Sequence, residues 1–248
     1  MSAPEPEISN QDVALFAKQE FQRTAMAARL NWLRAGVLGA NDGIMSTSGL
    51  VLGVAGATTE SAAILIAGVA AVVAGSISMA GGEYASVSAQ KDSEKAALAI
   101  ERQELAANPE LELRELTWFY EEKGLSPDTA AAVAKELTAK DALKAHAEAE
   151  FGIDSENHVS PTQAAVSSFI AFALGGMLPL VAVTGPWLDL RIQVTIIATV
   201  LSLGLTGWIG AKLGGAKPMR AIVRNLFVSL LTMGITYAIG LLVGTQLV

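Results

Sequence analysis

The chain has 248 residues, of which 52% are hydrophobic and 17% are charged, and its net charge is −7 at pH 7. This composition is too apolar for an ordinary soluble domain of this length, and it lacks the basic footprint of a nucleic-acid-binding protein. There are no cysteines, which excludes disulfides and thiolate metal sites.

The first 34 residues form a polar N-terminal segment that we expect to be cytosolic or interfacial. Residues 1–11 lack the basic and apolar regions of a cleaved signal peptide. Residues 11–34 have a helical composition and mix apolar and aromatic side chains with Arg and Lys. This mixture fits a helix in the membrane interface or a simple polar lead-in helix equally well.

Five apolar segments are each long enough to cross the roughly 30 Å hydrocarbon core of a bilayer as a helix. They cover about residues 35–57, 62–84, 162–183, 192–213 and 221–247. We therefore predict an all-α integral membrane protein with five transmembrane helices. The predicted domains are the N-terminal segment at 1–34, spans one and two at 35–84, an insert at 85–158, and spans three to five at 159–248.

The positions of Lys and Arg predict the orientation, because cytosolic loops of membrane proteins are enriched in basic residues. Sixteen of the 17 basic residues precede span one, lie in the insert, or lie in and directly beside the loop between spans four and five. Only Arg191 falls on the opposite side. We therefore expect a cytosolic N-terminus and insert in a multi-pass protein of the cell membrane, or of the vacuolar membrane in a eukaryote.

The insert at residues 85–158 is the acidic, water-soluble part of the chain. It contains 16 acidic and 8 basic residues, whereas the remainder is nearly neutral. Its sequence predicts three helices. The first continues span two to about residue 107, the second begins at Pro109 and stops at Gly124, and the third begins at Pro127 and ends near Gly152.

Each insert helix carries two potential metal ligands three or four residues apart. The pairs are Glu101 with Glu104, Glu112 with Glu115, and His146 with Glu150. Residues at this spacing share one helix face, so the three helices can present their ligands to a common centre. Carboxylate and imidazole ligands without sulfur suit Mn²⁺, Fe²⁺, Co²⁺ or Zn²⁺. A solvated acidic surface is the alternative interpretation of this pattern.

Span one contains Asp42, and an ionisable group at membrane depth is costly and usually functional. Two glycine pairs, Gly39 with Gly43 and Gly49 with Gly53, have the spacing that lets helices approach closely. We therefore predict a homodimer packed through this face of span one. Helix packing alone would explain the glycines, but it would not explain Asp42.

Span two ends with Met79 and Glu83, which are four residues apart. On a straight helix this face continues to Glu101 in the insert. The resulting polar stripe predicts a route for a cation between the membrane and the insert.

Several sequence segments carry a resemblance to a known family. They are GANDGI at 39–44, GLVLGVAGA at 49–57, SMAGGEY at 78–84, and the insert motifs ExxE at 101–104 and PExExxE at 109–115. Together they resemble the vacuolar iron transporter family, from about Leu33 to the C-terminus.

The resemblance implies five spans, a three-helix cytosolic metal-binding domain between spans two and three, and a homodimer with the ion path between its subunits. It also implies exchange of Fe²⁺, and often Mn²⁺, Co²⁺ or Zn²⁺, for protons. The implied cytosolic ligands are Glu101, Glu104, Glu112, Glu115 and Glu150, and the implied translocation residues are Asp42 and Met79. Some eukaryotic members place two methionines where this chain has His146 and Ala147.

We therefore expect a proton-coupled transporter, not an enzyme, that exports Fe²⁺ or Mn²⁺ from the cytosol and has no permanently bound cofactor. Its expected partners are divalent metal ions, protons, the lipid bilayer and a second copy of the chain. A membrane-anchored iron-binding or iron-oxidising di-iron protein is the alternative, although the Glu-x-x-His pairs of such sites are missing. A metal sensor that transports nothing is a third hypothesis, which Asp42 and Met79 disfavour.

Overall fold

The computed structural model describes residues 36–153 and 160–246, and the predicted N-terminal segment at 1–34 lies outside them. The described residues form seven α-helices and no strand, which confirms the all-α prediction. The helices are α1 at 36–57, α2 at Ser61–Ala107, α3 at Pro109–Glu122, α4 at Pro127–Ala149, α5 at Pro161–Thr184, α6 at Arg191–Leu213 and α7 at Pro218–Gln246. A short 3₁₀ helix at Leu188–Leu190 precedes α6.

Four helical segments among the described residues are long and apolar enough to cross a membrane. They are Ser61–Ala107, Pro161–Thr184, Leu188–Leu213 and Pro218–Thr245. Helix α1 occupies the position of the first predicted span. Helix α2 has 47 residues, which at 1.5 Å per residue gives a length of about 70 Å. One bilayer crossing therefore cannot contain the whole of α2.

The chain divides into two compact units. The first contains the described residues up to Gly82 and from Ala164 onward, and the second contains Glu83–Gln163. In the first unit, α1 packs closely on α5 and α7. A Cβ atom on Gly43 would overlap the backbone carbonyl of Phe172 in α5. A Cβ atom on Gly240 of α7 would overlap the carbonyl of Gly53.

The glycines of α1 do not form the dimer surface that their spacing predicts. Gly39 and Gly43 contact α5, whereas Gly49 and Gly53 contact α7. The close approach that glycine permits is therefore used within one chain. The prediction of a dimer interface through these glycines is wrong. The exposed residues of α1 include Leu38, Asp42, Ser46 and Leu50.

Polar contacts join α6 to α1 and to the loop between α1 and α2. Thr206 Oγ1 donates a hydrogen bond to Asn41 Oδ1. Arg191, at the start of α6, donates through Nη1 to the carbonyl oxygen of Thr59 and through Nη2 to Ser61 Oγ, both at 3.3 Å. Arg191 therefore ties the loop between α1 and α2 to the start of α6.

In the second unit, α3 and α4 pack together around a small apolar core that includes Leu116 and Ala134. Pro109 and Pro127 stand in the first turns of these helices, where a missing backbone N–H costs nothing. Gly124 has a φ of +96°, a left-handed conformation that glycine adopts readily. It follows the end of α3, as the sequence predicts.

Candidate metal centre

Three helices of the second unit bring potential metal-ligand atoms together. Glu101 lies on α2, Glu112 on α3 and His146 on α4, and one ligand atom of each lies within 4.8 Å of the others. His146 Nδ1 is 2.9 Å from Glu101 Oε1 and 3.9 Å from Glu112 Oε2. These residues, which we call the buried triad, are three of the six predicted cytosolic ligands.

The triad is shielded from water. The exposed fractions are 0% for His146, 1% for Glu101 and 5% for Glu112. Both ring nitrogens of His146 and Oε1 of Glu101 lack a hydrogen-bond partner among the described residues. Buried polar atoms are normally satisfied, and each exception needs an explanation. A cation bound between the carboxylates and the imidazole would satisfy the triad.

The protonation of the carboxyl groups is shifted by this environment. Burial raises the pKa of Glu101, and the charges of Glu112, Glu104 and Glu115 raise it further. Burial is also the largest cause of the raised pKa of Glu112. Desolvation of the carboxyl group and the charges of neighbouring carboxylates raise the pKa of Glu150 to about 7. A divalent cation bound here would offset the repulsion among these carboxylates and favour their ionised form.

The other three predicted ligands lie outside the triad but within its electrostatic range. Glu115 is half-buried, and Glu104 and Glu150 are exposed. The charges of Glu104 and Glu115 raise the pKa values of Glu101 and Glu112, and the charge of Glu101 raises the pKa of Glu150. The structure therefore gives a buried set of three potential ligands and a more accessible acidic set beside it.

Helix α4 is interrupted at Asp141, a feature that the sequence prediction of one continuous third helix missed. Asp141 has an extended backbone, with φ −164° and ψ 96°. Its Oδ1 accepts a hydrogen bond from the backbone N–H of Lys144 at 3.0 Å. This is the geometry of a helix N-cap, for which Asp is among the preferred residues. A capping residue type in mid-helix was the available signal.

The predicted translocation residues belong to other parts of the structure. Asp42 is exposed on α1, and its backbone carbonyl accepts a hydrogen bond from Ser46 Oγ at 2.6 Å. Met79 and Glu83 are both half-buried on α2. Neither Asp42 nor Glu83 belongs to a group of three ligands within residues 36–153 and 160–246.

The sequence matches a family model described as the VIT family over residues 33–241. The chain belongs to the VIT family. This match covers the described helices almost completely, including both the buried triad and Asp42. The four apolar helices and the family membership together place the protein in a membrane.

Relatives of this VIT-family chain are similar to it over most of their length. The vacuolar iron transporter of Acanthamoeba castellanii is 43% identical over 214 residues, which are 85% of this chain and 78% of the relative. Vacuolar iron transporter homolog 5 of Oryza sativa subsp. japonica is 35% identical, over 86% of this chain and 81% of the relative. Vacuolar iron transporter homolog 4 of Arabidopsis thaliana is 33% identical, over 88% and 87% respectively.

Proposed function

We propose that this VIT-family protein is a proton-coupled transporter that moves divalent transition metal, Fe²⁺ or Mn²⁺, out of the cytosol. The observation that carries the proposal is the buried triad, whose ligand atoms converge. Both ring nitrogens of His146 and Oε1 of Glu101 have no hydrogen-bond partner among the described residues. The relatives named as iron transporters support iron as the cargo.

The ligand chemistry supports a first-row divalent cation as substrate. Glu101, Glu112 and His146 offer oxygen and nitrogen atoms but no sulfur, a set that suits Fe²⁺ and Mn²⁺ and also accommodates Co²⁺ and Zn²⁺. Glu104, Glu115 and Glu150 add negative charge beside the triad. We assign capture of the cytosolic ion to these six residues.

Passage through the membrane is assigned to Asp42, with Met79 and Glu83 on the neighbouring helix. An ionised carboxylate facing hydrocarbon at the middle of a helix costs about 3 kcal/mol. Asp42 is exposed on α1, so it needs water or a second protein surface beside it. We therefore propose a five-span homodimer in which the exposed face of α1 lines the ion path.

Proton coupling follows from competition for the same carboxylates. The raised pKa values of Glu101, Glu112 and Glu150 mean that the empty cluster retains protons more readily than isolated carboxyl groups do. A bound metal requires the ionised form and releases those protons. In the proposed cycle, protons from the opposite side neutralise Asp42 and discharge the ion there.

The proposal is tested with the full-length protein in liposomes that contain a metal-sensitive dye. Metal is supplied on the side of the insert, with and without an excess of protons on the other side. We expect Fe²⁺ or Mn²⁺ to accumulate on the proton-rich side faster when the gradient is present. Absence of gradient-driven movement of any of the four metals would contradict the proposal. Oxygen consumption on addition of Fe²⁺, without metal movement, would instead indicate the iron-oxidising alternative.

A further inference from the structure

Helix α4 is interrupted just before the residues that it contributes to the metal centre. The first part of the helix runs from Pro127 to Lys140, and the second begins after Asp141. Ala134 of the first part and Ala145 of the second pack into the same apolar core with Leu116 of α3. His146 follows Ala145 directly and is completely buried.

The two parts of α4 keep their faces aligned across the break. At 100° per residue, position 145 of a straight helix would lie about 20° from position 134, and Ala134 and Ala145 share one core. His146 follows Ala145 and points away from that core, towards Glu101 and Glu112. What the extended residue at 141 changes is that the second part of α4 has an N-terminus of its own, about one turn before His146.

The second part of α4 needs a stabilising interaction to remain helical. It spans residues 142–149, about two turns, and so short a helix is marginal by itself in water. The hydrogen bond from Lys144 N–H to Asp141 Oδ1 satisfies a backbone donor at the start of this part. Glu150 stands at its C-terminal cap. The capping side chain of Asp141 thus precedes both His146 and Glu150 in the sequence.

We propose that Asp141 is a positioning residue for metal capture, which fixes His146 and Glu150 by breaking and recapping α4. This inference rests on the proposed function, because it assumes that His146 binds the metal. Asp141 itself does not touch the ion. It lowers the cost of ordering the segment that does, and so raises the affinity of the centre.

Titration of the full-length protein in detergent with Co²⁺, followed by the visible absorption of the bound ion, tests this role. Asp141→Ala removes the cap, and we expect it to raise the dissociation constant about tenfold, which is the typical size of an N-cap truncation. Asp141→Asn loses the charge but keeps a short acceptor, so its affinity should stay within about twofold of wild type. Asp141→Glu keeps the charge but places the acceptor one methylene further out, so it should behave like Asp141→Ala.

Asp128→Ala is the matched control, because Asp128 is an exposed acidic residue in the first turn of the same helix. It should bind Co²⁺ like wild type. Wild-type affinity in Asp141→Ala would overturn the inference. If Asp141→Ala does not fold, wild-type affinity in Asp141→Glu together with weak binding by Asp141→Asn would overturn it, because charge would then be the cause. A wild-type protein that binds no Co²⁺ would contradict the proposed metal centre itself.

Discussion

His146 Nδ1 and Glu101 Oε1 lie 2.9 Å apart inside the second unit, yet their orientation does not make a hydrogen bond. Leaving a buried polar atom unsatisfied costs about 1–3 kcal/mol. The fold therefore keeps these two atoms close at the expense of stability when no cation is bound. Since a ligand that binds only the folded state stabilises it, metal should offset this cost.

Glu101→Gln should abolish stabilisation by metal without lowering the melting temperature of the metal-free protein. The amide keeps the size of the side chain but removes one charge from a buried, mutually repelling group. In thermal unfolding with Mn²⁺ at 100 times its dissociation constant, wild type should gain about 2.7 kcal/mol, and the variant should gain almost nothing. Glu136→Gln, at an exposed position of α4, is the control. A full metal response in Glu101→Gln would contradict the assignment of the triad.

Metal affinity should increase steeply between pH 6 and pH 8. The pKa of Glu150 is about 7, and those of Glu101 and Glu112 are raised above their usual value. Below pH 7 the Glu150 carboxyl keeps a proton that a metal must displace, and the raised pKa values of Glu101 and Glu112 act in the same direction. Calorimetric titration with Mn²⁺ in buffers of different ionisation enthalpy would measure both the affinity and the protons released.

The same pKa shifts predict that the stability of the metal-free protein falls as the pH rises. A raised carboxyl pKa means that the folded state binds more protons than the unfolded state, so stability is lost as pH rises towards the folded pKa. The metal-free protein should therefore melt at a lower temperature at pH 8 than at pH 6. Glu150→Gln should flatten this dependence, and an unchanged slope in that variant would contradict the pKa shift.

Local signals predicted the helix limits in the second unit well. Pro109 and Pro127 start their helices, and Gly124 follows the end of α3, because each of these residues restricts or relaxes its own backbone. The spacing of ligand pairs likewise indicated which side chains could converge. Which of them would be buried depended on packing between α2, α3 and α4, which no local pattern contains.

Contacts between helices that are distant in sequence explain why the glycines of α1 do not form the predicted dimer interface. The glycine spacing in α1 correctly indicated close helix packing, but spacing alone cannot identify the partner helix. Gly43 approaches α5 and Gly53 approaches α7 of the same chain. The composition of the third insert helix predicts one continuous helix through Asp141, whereas the Asp141 side chain caps a new helical segment there. Asp occurs both within helices and at N-caps, so its residue type alone does not decide between the two.

Two glycines of α7 should respond oppositely to replacement by alanine. A Cβ on Gly240 would overlap the carbonyl oxygen of Gly53, whereas one on Gly234 meets nothing within 4 Å. Gly240→Ala should therefore destabilise the protein by about 1–3 kcal/mol. Gly234→Ala should be neutral or stabilise it by up to about 1 kcal/mol, because alanine is the better helix former. Thermal unfolding in detergent measures both, and equal stability of the two variants would contradict the packing of α7 on α1.

Disulfide cross-linking should place the proposed dimer interface on the exposed face of α1. The native chain has no cysteine, so each introduced one is unique. Leu38→Cys and Ser46→Cys should cross-link under mild oxidation, since both positions are exposed beside Asp42. Gly49→Cys should not, because position 49 faces Thr232 of α7. Leu201→Cys, on an exposed part of α6, is the control, and cross-linking there but not at 38 or 46 would move the interface elsewhere.

Capture and passage should be separable by mutation. Asp42→Asn keeps the size and hydrogen-bonding capacity of the side chain but removes its titratable charge. A membrane carboxylate that alternately holds a cation and a proton cannot be replaced by an amide. This variant should therefore lose transport in proteoliposomes while it binds Co²⁺ like wild type. Asp189→Asn, an exposed carboxylate in the same unit, should keep both activities.

Loss of Glu112 and Glu115 should have the converse effect. A capture site raises the local ion concentration, so the double change to alanine should weaken Co²⁺ binding by about 100-fold or more, at least the loss typical of altered metal-site partners. Transport should show a lower apparent affinity but persist at high metal concentration. Both variants are compared across a metal series, with the pH gradient on and off. Near-normal, gradient-driven transport by Asp42→Asn would rule out the proposed exchange at Asp42. The protein would still be a metal transporter, but the proton and the ion would have to compete for a different group.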